Sequence, residues 1–235
     1  MTEKKKYEAI FFDLDNTLYD FSASSREAYE ETYAVMHYDH FFPSFDAYFA
    51  IYEKRNAELW KLYNAGKITK EELNTIRYLY PLQTAGIEKA EEIAKQFFAE
   101  AMKRLPRKGI LRPYAKECLE YLHPHYKLYI LSNGFSELQT RKMQSAGIYS
   151  YFDGIVLSED IQVNKPQRAL FDYALSISGT RANETLMIGD DFEVDIIGAH
   201  NAGWDQLFYN YRGGNVSTFR PTFEIQSLEE ITNCL

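Results

Sequence analysis

The second half of the chain alternates short apolar segments with amphipathic segments of helical period. Beyond residue 110 the predicted strands are 127–131, 154–157, 185–188 and 205–209, and the predicted helices are 114–122, 135–146, 167–178 and 194–202. Strands that alternate with helices are joined by right-handed crossovers and form a parallel sheet flanked by helices. The sequence therefore predicts an α/β fold with a Rossmann-like parallel sheet core, followed by a loop over 211–221 and a short helix over 228–233.

One further apolar strand, around residues 10–12, is separated from the next by more than a hundred residues. Apolar and aromatic residues recur at helical spacing over 22–37, 45–64 and 87–104. Between the last two of these segments, Thr69 and Glu72 have the spacing of a capping box that begins another helix. We therefore expect an α/β core made of residues 1–17 and 109–235, with an all-helical domain inserted over residues 18–108.

Two carboxylates, Asp13 and Asp15, follow the first predicted strand. Side chains alternate with a period of two in extended backbone, so both can face one pocket, and the polar Asn16-Thr17 step ends the strand just beyond them. Open α/β sheets bind ligands at the carboxyl ends of their strands, where this pair would lie. Alone, the pair is equally compatible with a polar turn, so its meaning depends on the other strand ends.

Candidate phosphate ligands occur in two later segments. Ser132 and Asn133 end one predicted strand; Ser132 can donate through its hydroxyl, and Asn133 through its amide or backbone N–H. The N–H groups of the following helix favour an anion at the same place. Lys165 precedes Pro166, a residue that suits the first turn of a helix. Near acidic strand ends this lysine is a candidate ligand rather than a solvated surface charge.

Four acids occur within six residues after another predicted strand: Asp190, Asp191, Glu193 and Asp195. Clustered carboxylates repel one another, and Mg²⁺ is the hard, oxygen-seeking cation that best relieves them beside a phosphate. In the alternative interpretation, Asp191 and Glu193 cap the following helix and Asp195 faces solvent. That alternative suits Asp191 and Glu193 but not Asp190.

Through these strand ends the chain resembles the haloacid dehalogenase (HAD) superfamily of phosphohydrolases, whose four motifs occur here in order. They are Asp13-x-Asp15-x-Thr17, Ser132-Asn133, Lys165-Pro166 and Gly189-Asp190-Asp191-x-x-x-Asp195. The resemblance implies an aspartyl-phosphate mechanism, with Asp13 as nucleophile and Asp15 as general acid and base. It also implies that Asp13, Asp190 and the backbone carbonyl of Asp15 hold Mg²⁺, while Ser132 and Lys165 hold phosphate.

Within this resemblance we expect Asp190 to be a direct metal ligand and Asp195 to act indirectly, through water or by orienting the loop. Asp191 stands where the family pattern is open, and it remains a competitor for that second role. Thr17 is expected to support the loop or contact the phosphate. A carboxylate about 4 Å from a phosphate dianion meets roughly 8 kcal/mol of repulsion at an effective dielectric of about 20, so attack needs the countercharge of Mg²⁺ and Lys165.

The helical insertion follows the catalytic strand, as a C1-type HAD cap does, and such caps exclude water and select the leaving group. Residues 15–21, 56–68 and 133–139 are similar to the bacterial house-cleaning branch of pyrimidine 5′-nucleotidases, which implies a nucleoside monophosphate as substrate. A base can stack on aromatic side chains, although most of the 19 Tyr and 16 Phe must simply pack. The candidate substrate contacts are Tyr19, Trp60, Phe135 and Arg77. Arg77 could instead bind a cap carboxylate or lie on a helix surface.

Other functions remain open from the sequence. A phosphatase for phosphoglycolate or a sugar phosphate would use the same core, and so would a phosphomutase that passes the phosphoryl group to a sugar. A non-catalytic binding protein of this fold is disfavoured, because binding alone needs no acid–base aspartate beside a nucleophile. A dehalogenase would have little use for Asp15 or for an acidic cluster that binds Mg²⁺.

A net charge of −8 argues against a nucleic-acid polymer or an anionic membrane surface as partner. No apolar run approaches the length of a transmembrane span or of a signal-peptide core. Cys118 and Cys234 form no metal or disulfide pattern. We therefore expect a cytoplasmic monomer or homodimer whose partner is a small phosphorylated metabolite.

Overall fold

The computed structural model describes residues 7–214 and 219–235. The chain divides into two compact units: an α/β unit, made of the chain up to Phe21 and from Gly109 onward, and a helical unit, Ser22–Lys108. The first boundary lies after Phe21 rather than after residue 17, because the two connecting segments pair with each other in the α/β unit. Tyr19 forms an antiparallel bridge with Leu111, and the N–H of Arg112 donates to the carbonyl of Leu18 at 2.8 Å.

The predicted parallel α/β fold is confirmed. In the described ranges six parallel strands form one sheet, in the order β3-β2-β1-β4-β5-β6. The strands are β1 (Ala9–Phe12), β2 (Lys127–Ser132), β3 (Gly154–Leu157), β4 (Thr185–Gly189), β5 (Asp205–Tyr209) and β6 (Phe223–Ile225). β1 lies between β2 and β4, with Phe12 paired to Ile130 on one side and to Ile188 on the other. The carboxyl ends of the three central strands therefore lie side by side, at the topological switch point where such sheets bind ligands.

Strand β1 is buried on both faces, which is why its sequence is continuously apolar. Ile10 and Phe12 pack in one core cluster with residues such as Leu119, while Phe11 packs in a second cluster with Trp204. The aromatic ring of Phe11 lies 4.9 Å from that of Trp204. Packing on both faces fixes the position of β1 in the sheet. The residues that follow β1 therefore lie at the edge formed by the carboxyl ends of the strands.

The predicted all-helical insertion is confirmed as helical. Its helices in the described part of the chain are α1 (Phe21–Val35), α2 (Phe45–Asn64), α3 (Lys70–Thr84) and α4 (Ala90–Arg104). α2 begins where the Ser44 side chain accepts a hydrogen bond from the N–H of Ala47, and α3 begins at the predicted capping box of Thr69 and Glu72. The centre of this unit is aromatic: the Tyr29 ring lies 5.0 Å from that of Tyr52 and 5.9 Å from that of Phe97.

Helices of the α/β unit are α5 (Ala115–Leu122), α6 (Ser136–Ser145), α7 (Ser158–Ile161), α8 (Arg168–Ser178), α9 (Ile197–Asn201) and α10 (Ile231–Cys234). The helix predicted over 194–202 is instead a π-helical turn, Phe192–Ile196, followed by α9. The turn begins early because Asp191 Oδ1 accepts hydrogen bonds from the N–H groups of Glu193 and Val194, both at 3.0 Å. No helix in residues 7–214 and 219–235 is both long and apolar enough to cross a bilayer.

The sequence-based prediction missed β6. Three residues are too few to show a strand period, and β6 is recognisable only through its partner, since the N–H of Asn210 donates to the carbonyl of Ile225 at 2.8 Å. Part of the loop predicted over 211–221 lies at residues 215–218, outside the described residues.

Candidate active site

Asp13 follows β1 and extends its pairing, because the Asp13 N–H donates to the carbonyl of Ile188 at 2.9 Å. Asp13 Oδ1 accepts a hydrogen bond from Lys165 Nζ at 2.8 Å, and Oδ2 lies 3.5 Å from the Thr17 hydroxyl. Burial raises the pKa of Asp13, and the neighbouring Lys165 only partly opposes this. Asp13 is thus a buried carboxylate that depends on nearby cations for its charge.

Lys165 is 1% exposed and directs all three of its N–H donors at protein oxygens. They are Asp13 Oδ1 at 2.8 Å, Asp195 Oδ1 at 2.6 Å and the Leu131 carbonyl at 2.7 Å. Burial lowers the pKa of Lys165, but the charges of Asp13 and Asp195 raise it above its ordinary value, so the ammonium stays protonated. To bind a phosphate oxygen, Lys165 must exchange or share one of these three bonds.

Asn133 positions the backbone of Lys165. Its Oδ1 accepts from the Lys165 N–H at 2.8 Å, and its Nδ2 donates to the Lys165 carbonyl at 3.0 Å. The amide, one of the two donors predicted for phosphate, is therefore committed to this segment. Because the segment is held as a loop, α8 begins at Arg168, one residue after the predicted start, and Pro166 lies outside its first turn.

Thr17 joins the end of β1 to the loop after β4. Its buried hydroxyl donates to Asp190 Oδ1 at 3.2 Å and accepts from the Asp190 N–H at 3.1 Å. Burial and the charge of Asp13 raise the pKa of Asp190 to about 7, and Arg212, 3.6 Å from Asp190 Oδ2, opposes the rise. The contacts of Thr17 are those of a residue that supports the loop, one of its two expected roles.

Asp195 is 1% exposed, so it does not face solvent as the alternative interpretation required. Its Oδ1 accepts from Lys165 and its Oδ2 accepts from the Asp191 N–H at 3.1 Å. A Cβ at residue 189 would lie 2.2 Å from Asp195 Oδ2, so Gly189 makes room for this carboxylate. Asp191, by contrast, is exposed and caps the π-helical turn.

Three carboxylates converge beside the strand ends. Oxygens of Asp13, Asp190 and Asp195 lie within 4.8 Å of one another. The pKa of each is raised, chiefly by burial, so their ionised forms need a positive charge beyond that of Lys165. Hard oxygen donors at this spacing suit a divalent cation such as Mg²⁺. Asp195 is the least available of the three, because its side chain is 1% exposed, against 12% for Asp13 and 8% for Asp190.

Asp15 has a cation of its own. Lys142 Nζ lies 2.8 Å from Asp15 Oδ1 and 2.9 Å from Oδ2, and Gln139 Nε2 donates to Oδ2 at 3.2 Å. The same Gln139 nitrogen donates to the Ser132 hydroxyl oxygen at 2.7 Å, which also accepts from the Gly134 N–H at 3.0 Å. With both lone pairs of Ser132 occupied, its hydrogen is left to donate outward, as a phosphate ligand requires.

Lys142 and Gln139 were not among the predicted site residues. They lie on the buried face of α6 beside Leu138 and Met143. A glutamine and a lysine three residues apart within an apolar helical stripe are the signal that could have identified them, because buried polar groups need partners.

Each unit carries two of the four predicted substrate contacts. Tyr19 and Phe135, in the α/β unit, are 0% and 4% exposed. In the helical unit Trp60 is partly exposed, while Arg77 is only 3% exposed and thus is not on a helix surface. Arg77 donates to the side-chain oxygens of Asn56 and Asn74. No carboxylate of the described residues lies within 4.0 Å of its guanidinium.

The fold and this constellation define a class of protein. The chain belongs to the haloacid dehalogenase-like hydrolase family, whose sequence model matches residues 7–203. Within that family the chain is an enzyme that hydrolyses phosphoric monoesters, in keeping with the presence of Asp13, Asp15, Ser132, Lys165 and Asp190 together.

Two similar proteins are pyrimidine 5′-nucleotidases. PynA of Streptococcus pneumoniae is 31% identical over 232 residues, which cover 97% of this chain and 95% of that protein. YjjG of Escherichia coli is 32% identical over 235 residues, 98% of each protein. The crystal structure of the HAD-hydrolase YfnB from Bacillus subtilis, bound to magnesium, is 29% identical; it superposes with a TM-score of 0.87 over 97% of this chain and 98% of that one. The predicted resemblance to the pyrimidine 5′-nucleotidase branch is confirmed.

Proposed function

We propose that the chain is a Mg²⁺-dependent phosphatase of nucleoside 5′-monophosphates, of the pyrimidine 5′-nucleotidase type, that acts through an aspartyl phosphate. The observation that carries the mechanism is the separate pairing of two carboxylates two residues apart. Asp13 bonds to Lys165, near Asp190, whereas Asp15 bonds to Lys142. Because their partners differ, the two carboxylates can have different catalytic roles. The near-full-length similarity to two pyrimidine 5′-nucleotidases supports the substrate class.

Asp13, Asp190 and the backbone carbonyl of Asp15 would hold the cation, and Asp195 would act indirectly by orienting Lys165 and the Asp191 backbone. When bound, Mg²⁺ would lower the repulsion between the nucleophile and the phosphate. Asp191 is less suited to a role at the metal, because its Oδ1 caps the π-helical turn.

In the first step, Lys165 and the Ser132 hydroxyl bind phosphoryl oxygens and orient phosphorus toward Asp13. A carboxylate oxygen of Asp13 attacks phosphorus while the bond from phosphorus to the ester oxygen breaks. Asp15 gives its proton to the departing oxygen, which leaves as the hydroxyl of the nucleoside. The products are an aspartyl phosphate at Asp13 and an ionised Asp15.

In the second step, water attacks phosphorus of the aspartyl phosphate and gives its proton to Asp15. The bond from phosphorus to Asp13 breaks, and inorganic phosphate leaves. Asp13 is again a carboxylate and Asp15 again carries a proton, so one water is consumed in each turnover.

For the nucleoside we retain Trp60 as the aromatic candidate, because its ring is partly exposed and packs edge-on against Tyr63 at 5.6 Å. Tyr19 and Phe135 are buried, so packing accounts for both rings without a base contact. Arg77 would contribute by holding Asn56 and Asn74, whose oxygens accept from it.

The test is phosphate release from pyrimidine and purine nucleoside monophosphates, sugar phosphates and phosphoglycolate, with Mg²⁺ or with EDTA. We expect turnover of UMP, dUMP and dTMP that EDTA abolishes and that Asp13→Asn lowers by about 10⁴-fold or more. Asp172→Asn is the matched control, since this exposed carboxylate on α8 pairs with Arg168.

Each alternative has its own outcome in that assay. Preference for phosphoglycolate or sugar phosphates would overturn the nucleotidase assignment and leave the mechanism. Bisphosphate-dependent isomerisation of a sugar phosphate, without phosphate release, would show a phosphomutase. Absence of turnover of every ester with Mg²⁺ present would overturn the proposed activity.

A further inference from the structure

Two side chains of α6 hold the proposed acid–base carboxylate, and neither belongs to the four strand-end motifs. Lys142 Nζ lies almost equally far from the two oxygens of Asp15, at 2.8 and 2.9 Å. Gln139 bridges Asp15 Oδ2 and the Ser132 hydroxyl, at 3.2 and 2.7 Å. Asp15 follows β1, but its carboxylate is oriented by two donors on α6.

The two oxygens of Asp15 are not equivalent. Oδ2 accepts from both Lys142 and Gln139, whereas Oδ1 accepts from Lys142. A carboxylate oxygen has two lone pairs, so Oδ1 keeps one for a further proton while Oδ2 is saturated. This asymmetry leaves Oδ1 as the oxygen with a lone pair available for the proton.

Lys142 has little freedom to move. It is 2% exposed, and its ammonium lies 4.8 Å from the ring centroid of Phe21 and 5.6 Å from that of Tyr19. A buried ammonium between two rings and one carboxylate keeps its position, because other positions would leave the charge unpaired. Asp15 is thus bonded to an ammonium group that is itself buried and held between two rings.

Gln139 is fully buried, and its position depends on a missing side chain. A Cβ at Gly134 would lie 1.9 Å from Gln139 Nε2 and 2.5 Å from its Cδ. Glycine at residue 134 therefore leaves the space through which Gln139 reaches both Ser132 and Asp15. One amide links the orientation of a proposed phosphate donor to that of the proposed acid.

We propose that Lys142 is a positioning residue for proton transfer by Asp15, and that Gln139 assists it by tying Asp15 to Ser132. The inference rests on the proposed function, since it requires that Asp15 protonate the leaving oxygen. After that transfer, Lys142 and Gln139 hold the resulting carboxylate in place until water returns the proton. A role in folding alone would not distinguish one leaving group from another.

The test compares kcat/KM for UMP, whose leaving group needs a proton, with kcat/KM for p-nitrophenyl phosphate, whose phenolate leaves without one. This parameter reports the steps up to departure of the leaving group and excludes the later hydrolysis. Asp15→Asn calibrates the ratio: it must lower kcat/KM for UMP far more than for the aryl ester. If the wild-type enzyme hydrolyses neither ester, or Asp15→Asn shows no such difference, the proposed function fails rather than this inference.

For Lys142→Met we expect kcat/KM for UMP to fall by about 10- to 100-fold, part of the effect of general acid catalysis, and that for p-nitrophenyl phosphate by about twofold or less. Lys142→Arg should recover most of the loss. Arg141→Met is the matched control, because it removes a positive charge from the exposed face of the same helix. Equal losses on both esters, or no loss on UMP, would overturn the inference.

Gln139→Leu and Gly134→Ala give a second measurement that spares the buried charge pair. Both should show the same preference for the aryl ester, more weakly than Lys142→Met. In either variant, a loss confined to KM and equal for both esters would show that Gln139 serves phosphate binding through Ser132 and not proton transfer.

Discussion

Each unit of the molecule buries at least one cation, and Lys165 and Arg77 have partners of different kinds. Lys165, in the α/β unit, lies between the carboxylates of Asp13 and Asp195 at 2.8 and 2.6 Å. Arg77, in the helical unit, donates to the neutral amides of Asn56 and Asn74 and lies 4.9 Å from the ring of Tyr78. A cation paired with carboxylates can exchange one of them for a phosphate oxygen, whereas a cation surrounded by amides and rings has no anionic partner to exchange and stabilises the packing.

The centres of the units differ in the same way. Around Lys165 the pKa of Asp13 and that of Asp195 are raised, because burial disfavours their charge. Around Arg77 the polar groups are the two amides and a cluster of hydroxyls, in which the Tyr29 hydroxyl lies 2.8 Å from that of Tyr78 and 3.1 Å from that of Tyr52. The carboxylates around Lys165 carry charge that burial disfavours and that a bound ligand can stabilise. The hydroxyls around Arg77 form hydrogen bonds between neutral groups.

Loss of Lys165 should have the largest effect on activity and stability. Lys165→Met leaves two buried carboxylates without their cation, so we expect a loss of activity of about 10³-fold or more and a loss of about 3–5 kcal/mol of stability. A carboxyl whose pKa is raised in the folded state keeps protons that the unfolded chain has lost, so stability falls as pH rises. The destabilisation should therefore be larger at about pH 8 than at about pH 5.5. Urea unfolding at both pH values measures it, with exposed Arg168→Met as control.

Binding of a divalent metal should have the next largest effect on stability. The pKa of Asp190, raised to about 7, means that the metal-free protein loses stability as pH rises from the ordinary carboxyl range to about 7. Mg²⁺ competes with that proton, so its affinity should be about 30-fold weaker at about pH 5.5 than at about pH 8. Thermal unfolding with Mg²⁺ or EDTA should show the larger stabilisation at the higher pH.

Two variants identify the acid responsible for that effect. Asp190→Asn should abolish the stabilisation by Mg²⁺, whereas Asp191→Asn should preserve it with little change in melting temperature, because Asn caps a helix about as well as Asp does. The opposite result would make Asp191 the metal ligand.

Arg77→Met should have a smaller effect than Lys165→Met. Its partners are neutral, so we expect a loss of about 1–3 kcal/mol that does not change between about pH 5.5 and about pH 8. Chemical denaturation measures this, with Arg55→Met of the same unit as control. A folded Arg77→Met protein with a strongly raised KM for UMP would show that Arg77 binds substrate, and the contrast between the two cations would then fail.

The smallest effect is expected at the tyrosine hydroxyls. Tyr52→Phe removes one neutral hydrogen bond to Tyr29, so we expect a loss of about 1 kcal/mol and a fall in Tm of about 2–4 °C. Exposed Tyr80→Phe is the control. A loss as large as that of Lys165→Met would mean that the hydroxyl cluster carries charge, contrary to the comparison.

Local pattern was sufficient for much of the fold. The strands Gly154–Leu157 and Asp205–Tyr209 and the helix Phe45–Asn64 have the bounds that the sequence predicts, because each has a clear period and clear end signals. The order of the strand-end motifs also predicts which side chains converge at the sheet edge. The local sequence does not show which segments pair with each other. Strand β6, for example, forms only by pairing with β5.

The missed site residues have the same cause. Lys142 and Asp15 are 127 positions apart in the sequence, so no local spacing predicts that they form a pair. Arg77 is a candidate substrate contact in the sequence, but that its side chain is buried, rather than on a helix surface, follows only from the packing of the helices. Asn133 could be placed at the site, but the commitment of its amide to Lys165 follows only from three-dimensional contact.

The chain leaves the α/β unit and returns to it through two segments bonded to each other. Beside the bridge of Tyr19 with Leu111, the N–H of Asp20 donates to the Ile110 carbonyl at 2.9 Å, and Arg112 pairs with Asp20 at 2.9 Å. Ends held side by side close the excursion locally, whatever its length. Helices of a different number or length could therefore replace the inserted ones without disturbing the register of β1 with β2 or the side chains at the ends of these strands.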